Sequence, residues 1–325
     1  MSLELKPPHS GGLLLTYWCS AACADCYENS SPRKGGRMPI EDAKEYLIEL
    51  KGIGCSGRGF HFAGGEPFRD YKQLIAVFEA AEEAGMLPLG KLETNGFWCT
   101  KDELVRERLT EIKHFGLIEL LLSCDVFHQE FVPIERIRRG VRIAKEILGE
   151  KGVRVRFWEF FHDPIEVHGL TDEEKQKIFR EELKRRPERM VGRAAKALSH
   201  LVPRFPPSRF IDDACSHPIL QSGHIHIDPY GNVFPSACAG ISLGNAKKQK
   251  LSEIYETFYY HSHPLLKSLI EEGPMPLMEE AVAYGFEVNT GGYASKCHLC
   301  FEVRRFFFEK GLYPDEVGPE EIYVD

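Results

Sequence analysis

The first two-thirds of the chain alternates short apolar runs with stretches in which apolar residues recur every three or four positions. The runs at 11–18 (GGLLLTYW), 59–67 (GFHFAGGEP), 90–98 (GKLETNGFW), 116–125 (GLIELLLSCD) and 152–160 (GVRVRFWEF) predict strands, the last by its alternation. Between them, Ile40, Ala43, Tyr46, Leu47 and Leu50 form one stripe of a helix beginning near residue 39. Further helices are predicted over 70–85, closed by Gly85, and over about 101–115, 133–149 and 172–186. Strands alternating with helices build βαβ units and a parallel sheet. Five or six such units predict an α/β fold of the open or partial-barrel kind rather than a sandwich.

After about residue 200 the pattern changes. A proline-rich link (201–210) leads to HIHIDPYGNVFPSAC (224–238), which predicts two strands joined by a turn at 229–232. Helices are predicted over about 251–261 and 264–272 and again from Leu299. The chain thus divides into a core over 1–205 and a small α+β, cysteine-rich extension over 206–325. The stretch 175–209 carries more Lys and Arg than Asp and Glu, as a solvated helix face or as a guide for an acidic substrate.

Composition narrows the field. The 325 residues are 43% hydrophobic and 28% charged, as in a globular protein. A net charge of −8 implies no general affinity for nucleic acid or an anionic membrane. No apolar run reaches the roughly 18 residues of a membrane span. The opening segment MSLELKPPHSGG lacks the basic and apolar regions of a signal peptide. A cytoplasmic location is therefore expected, with thiols kept reduced.

Ten cysteines then stand out, because clustered thiols in a reducing compartment point to metal or catalysis. Cys19, Cys23 and Cys26, spaced x3 and x2, directly follow the first strand. Three local thiolates do not complete a structural zinc site. They suit a four-iron cubane with one corner open, and Ser20, Ala21, Ala22 and Ala24 are small enough for the loop to wrap it. An iron without a thiolate can chelate a small molecule through amine and carboxylate. The loop lies at a strand's C-terminal end, where parallel α/β folds place their chemistry.

This cysteine motif, followed by GGEP (64–67) after the second strand, resembles the radical S-adenosylmethionine (SAM) superfamily over roughly residues 10–200. The resemblance implies a partial (βα)6 barrel with a [4Fe–4S] cluster on Cys19, Cys23 and Cys26 and SAM chelated to the fourth iron. Reductive cleavage would release a 5′-deoxyadenosyl radical that abstracts hydrogen from a substrate. One departure is Asp25, where the family often has an aromatic residue before the third cysteine; Tyr27 follows instead. By the same resemblance, Gly64, Gly65, Glu66 and Pro67 bind the SAM amino group. Thr94, Asn95, Ser123 and Asp125, at the ends of the third and fourth strands, are candidates for its ribose and methionine parts, with capping or turn duty as the alternative. Gly192 and Arg193 in VGRAA are similar to a motif lining the adenosine pocket. Cys124 is a candidate hydrogen donor, weighed against a buried small hydrophobe, which Cys55 and Cys99 also resemble. His61 reads as a core residue, and the run 158–162 as cavity lining or plain strand alternation.

Cys297 and Cys300 have metal-ligand spacing, and Cys215 and Cys238 complete a set of four in the extension. The hairpin and helix around Cys238 resemble SPASM or twitch extensions, which implies one auxiliary iron–sulfur cluster. A structural zinc site is the alternative. A third reading leaves Cys215 unligated and an iron open for substrate; His217, His224, His226 and His298 are possible substitute ligands. Family analogy suggests a peptide or protein substrate and a low-potential electron donor as partner. The alternatives are a small molecule or cofactor precursor, or a non-enzymatic iron–sulfur electron carrier. Phe301, Phe306, Phe307 and Phe308 read as core before docking surface.

Overall fold

The computed structural model describes residues 4–324. In chain order its elements are β1 (Ser10–Leu14), α1 (Ile40–Gly52), β2 (Phe60–Ala63), α2 (Tyr71–Glu83), β3 (Lys91–Thr94), α3 (Asp102–His114), β4 (Glu119–Ser123), α4 (Val126–Gln129) and α5 (Ile134–Leu148). There follow β5 (Val153–Arg156), α6 (Trp158–His162), α7 (Asp172–Arg185), α8 (Arg193–Ala197), β6 (His224–Ile227) and β7 (Val233–Pro235). The chain ends with α9 (Leu251–Thr257), α10 (Pro264–Glu271), α11 (Met275–Ala283), α12 (Lys296–Glu309) and α13 (Glu320–Tyr323).

One sheet organises them, in the order β5-β4-β3-β2-β1-β6-β7. The pairings from β5 across to β6 are parallel, and only β6–β7 is antiparallel. The sheet is therefore a partial barrel whose sixth parallel strand, β6, comes from beyond the proline-rich link. Outside it α1 packs on α2 and α3 on α5, each through a buried apolar stripe such as Ile137, Val141 and Ala144 of α5. Caps fix the starts: Asp70 accepts from the Gln73 amide at 3.1 Å, and Thr171 forms a capping box with Glu174. Among the described residues no helix is long and apolar enough to cross a membrane.

Three expectations change. The fifth strand ends at Arg156, because Phe157 turns into the left-handed region (φ 65°) and residues 158–162 form a helix. The helix predicted over 251–261 stops at Thr257. The last long helix begins at Lys296, three residues before Leu299, because Ser295 caps it by accepting the His298 amide at 3.1 Å. Cys297 accordingly lies in its first turn and Cys300 at the start of its second. Phe301 and Phe307 are buried and Phe306 and Phe308 pack against the same core.

Candidate active site

The alternation of each strand decides what faces the barrel lumen. The register sets His61 of β2 and His226 of β6 on either side of Gly12, and Lys91 beside His61. Gly12 is what lets them meet: a Cβ there would stand 2.4 Å from the His61 ring. The two imidazoles come within 3.3 Å through their Nε2 atoms. His226 Nδ1 lies 2.8 Å from the Ser236 carbonyl, which places its proton on Nδ1 and leaves Nε2 to accept from His61. Burial lowers both pKa values, His226 to about 4, so this floor of the lumen is neutral near pH 7. Further along the lumen Lys91 pairs with Glu93 at 2.5 Å and Arg154 with Glu119 at 2.7 Å.

Above this floor lies a cavity of about 440 Å³, into which Cys19, Cys23 and Cys26 all open. Burial pushes the Cys19 and Cys23 thiols up, and Cys26 to about 11. Cys19 Sγ accepts from the Ala21 amide at 3.5 Å and from Asn95 Nδ2 at 3.4 Å. Three thiols on one cavity, Cys19 and Cys23 buried and Cys26 half-buried, with Cys19 already receiving N–H donors, match the donor set of an iron–sulfur group that neutralises thiolates by its own charge. Asp25 Oδ1 is buried beside them without a hydrogen-bond partner. Burial, with Asp125 adding to it, raises that carboxyl to about 7. Asp125 itself is held low by His128 against the cost of burial, with His128 Nδ1 2.8 Å from its Oδ2.

The other expected residues fall into distinct places. Gly64, Gly65, Thr94, Asn95 and Ser123 line the same cavity as the three cysteines. Glu66 and Pro67 line a different cavity of about 340 Å³, and the Glu66 carboxylate accepts from Phe68, Thr94 and Asn95. Asp125 caps α4, accepting from the Phe127 and His128 amides at 3.0 Å. Gly192 and Arg193 support the cysteine loop from behind. Arg193 donates to the carbonyls of Cys23 at 2.9 Å, Asn29 at 2.9 Å and Ser30 at 2.7 Å. Cys124 is fully buried, receives Gln129 Nε2 at 3.7 Å and is absent from the cavity wall, so it is not placed to hand hydrogen to a substrate. Residues that the motifs did not single out also reach the cavity: Glu28, Arg156, Glu188 and Arg189. For Arg156, only its alternation with buried Val155 in β5 signalled this.

Cys215, Cys238, Cys297 and Cys300 converge on a second, small cavity of about 40 Å³. Burial pushes Cys215 to about 12 and Cys297 to about 11. No histidine lines it among the described residues, and His298 is buried elsewhere with Nδ1 accepting the Ala294 amide. Four thiols with no other donor fit either a fully thiolate-ligated iron–sulfur cluster or zinc. Arg189, Val191 and Ala237 line both cavities and so form the wall between them. In that wall Met190 holds a left-handed φ of 55°.

Residues 13–181 match the model of the Radical SAM superfamily. The chain belongs to the radical SAM superfamily. The cofactors of that superfamily are a [4Fe–4S] cluster and SAM, and the three-cysteine cavity carries the donor set for them. A curated relative in Bacillus subtilis (strain 168), named "Putative peptide biosynthesis protein YydG", is 32% identical over 126 residues. That alignment spans 37% of this chain and 37% of the relative. The structure of BtrN in complex with AdoMet and 2-DOIA superposes with a TM-score of 0.50 at 18% identity, covering 82% of this chain and 89% of that one. At that identity the likeness is one of fold. Native anSMEcpe with bound AdoMet and Cp18Cys peptide gives a TM-score of 0.46 at 14% identity, over 94% and 98% of the two chains.

Proposed function

We propose that this radical SAM enzyme modifies a peptide or protein, with its cluster on Cys19, Cys23 and Cys26 and an auxiliary iron–sulfur cluster on Cys215, Cys238, Cys297 and Cys300. The observation that supports the arrangement is the shared wall of Arg189, Val191 and Ala237, across which a substrate in the larger cavity would lie beside both cysteine sets. The substrate class is supported by the likeness to a protein named for peptide biosynthesis.

When bound, the cluster and SAM together supply a 5′-deoxyadenosyl radical that takes hydrogen from the substrate. The chain's own residues do the positioning. Arg193 holds the cysteine loop by its carbonyls, and Glu66 sets the Asn95 amide whose side chain reaches Cys19 and Ser20. Gly64, Gly65, Asn95 and Ser123 form the wall against which SAM would lie. Lys91, Glu93, Arg156 and the paired histidines offer donors and acceptors to a polar part of the substrate lower in the lumen. Glu188, Arg189, Met190 and Val191 line the cavity as well. A reducing cytoplasm is the proposed location, supported by ten cysteines that are all free, and a low-potential electron donor is the proposed partner.

The test is anaerobic reconstitution of the full chain, followed by SAM, a chemical reductant and any short peptide encoded beside its gene. The reading expects 5′-deoxyadenosine, a mass change in the peptide and about eight irons per chain. About four irons with one zinc would reject the auxiliary cluster. An unaltered peptide alongside a consumed small molecule would move the substrate class, and absence of 5′-deoxyadenosine would end the reading.

A further inference from the structure

The small cavity holds a buried cation as well as its four cysteines. Arg304 is 3% exposed. Its Nε donates to Cys300 Sγ at 3.4 Å, and its Nη1 donates to the Ala239 carbonyl at 3.1 Å and to the Tyr323 hydroxyl. Tyr323 donates onward to the Gly240 carbonyl at 2.6 Å. The rings of Phe301 and Tyr323 lie 5.7 and 5.6 Å from the guanidinium carbon. Among the described residues no carboxylate forms an ion pair with Arg304. A guanidinium buried without a carboxylate is costly unless another anion faces it, and the sulfurs of the cavity are the groups in place to do so. Arg189 lines the cavity too, and Lys296, the remaining cation there, pairs with Asp213 at 2.5 Å.

We propose that Arg304 is the counter-ion of the group held by Cys215, Cys238, Cys297 and Cys300, a positioning residue whose fixed charge favours that group's reduced form. The proposal rests on reading these cysteines as an iron–sulfur site. Such a cluster carries one more negative charge when reduced than when oxidised. A cation at hydrogen-bond distance from a ligand sulfur, shielded from water, stabilises that added charge. The same fork joins the N-terminal part of α12, through Cys300, to the loop after Cys238, through Ala239. Charge and geometry therefore have to be separated by experiment.

The experiment uses the full chain carrying Cys19→Ala, Cys23→Ala and Cys26→Ala, reconstituted anaerobically with iron and sulfide, so that the first site contributes no signal. Iron content and a reductive titration followed by electron paramagnetic resonance are the readouts. Arg304→Gln is expected to keep iron but to bind the electron at least tenfold more weakly, a midpoint lower by about 59 mV for a one-electron couple. Arg304→Lys, which keeps the charge, and Tyr323→Phe, which removes only an anchoring hydroxyl, are expected to stay within about threefold of the parent, below 59 mV by the same conversion. A parent-like potential in Arg304→Gln overturns the inference, as does Arg304→Lys falling as far as Arg304→Gln. Should Arg304→Gln lose its iron, retention at near-parent potential by Arg304→Lys supports the inference and loss by both overturns it. A parent without iron removes the reading of the four cysteines and the inference with it.

Discussion

His61 and His226 meet over Gly12 with their Nε2 atoms 3.3 Å apart, one strand on either side of the glycine. Burial first, and the neighbouring His224 next, hold His226 down to about pKa 4. An unfolded histidine takes its proton near pH 6.5. Between pH 6.5 and 4 the unfolded chain therefore binds the extra proton and the folded chain does not, so stability falls as pH drops through that window and is flat above it. The shift corresponds to about 3 kcal/mol lost from this residue by pH 4. Glu66 and Asp228, raised by burial to about 7 and 6, push the other way, so the slope must be isolated by comparison. Denaturant unfolding at pH 7.5 and 5 is expected to show a smaller acid loss in His226→Gln than in the parent. Equal losses would refute it.

Glu66 is fully buried and accepts from the Phe68 amide at 3.1 Å, Thr94 Oγ1 at 2.8 Å and the Asn95 amide at 2.8 Å. Removing the carboxylate leaves these buried donors without their partner, at about 1–3 kcal/mol for each. Glu66→Ala is expected to cost about 3 kcal/mol or more and to free Asn95 from Cys19. Glu66→Gln keeps one acceptor oxygen and should cost less. Unfolding curves of the two variants check this ranking, and equal costs would assign the effect to charge alone.

What was legible in the sequence was local. Strand period, the cysteine spacing and the GGEP loop each lie within a few residues, and the structure brings Cys19, Cys23, Cys26, Gly64 and Gly65 to one cavity. Long-range register was not legible: nothing in HIHI (224–227) says that it pairs with β1 and carries His226 to His61. A motif also does not say which way its side chains turn. Glu66 sits in the expected loop yet serves its neighbours' amides, and Arg193 grips the cysteine loop instead of lining the pocket. Arg304 is one helical turn after Cys300, a spacing that places both on one face, and that relation carries weight only once the helix is seen to start at Lys296.

Cys124 separates a hydrogen donor from a core residue cleanly. Burial pushes its thiol to about 12, and Gln129 rather than the cavity is its neighbour. Cys124→Ala is expected to cost about 1 kcal/mol of stability. It should leave both 5′-deoxyadenosine and product formation at parent levels. Product lost while 5′-deoxyadenosine persists would show that this thiol does reach the substrate.

Arg193 and Gly192 give the sharpest test of the first cysteine site, because they act on it without being ligands. The Arg193 amide donates to the Cys26 carbonyl at 2.9 Å, and its guanidinium spans the carbonyls of Cys23, Asn29 and Ser30. A lysine has no planar fork to span them. Gly192 holds φ 59°, and a Cβ there would stand 2.5 Å from the carbonyl oxygens of both Cys26 and Tyr27. Backbone atoms cannot yield as a flexible side chain can, so the loop itself must move. Arg193→Lys and Gly192→Ala are each expected to drop iron from about eight towards about four per chain. The loss should fall on the first site, abolishing 5′-deoxyadenosine, while the four cysteines of the second cavity keep their metal. Full iron and undiminished SAM cleavage in both variants would mean that the loop holds its shape unaided.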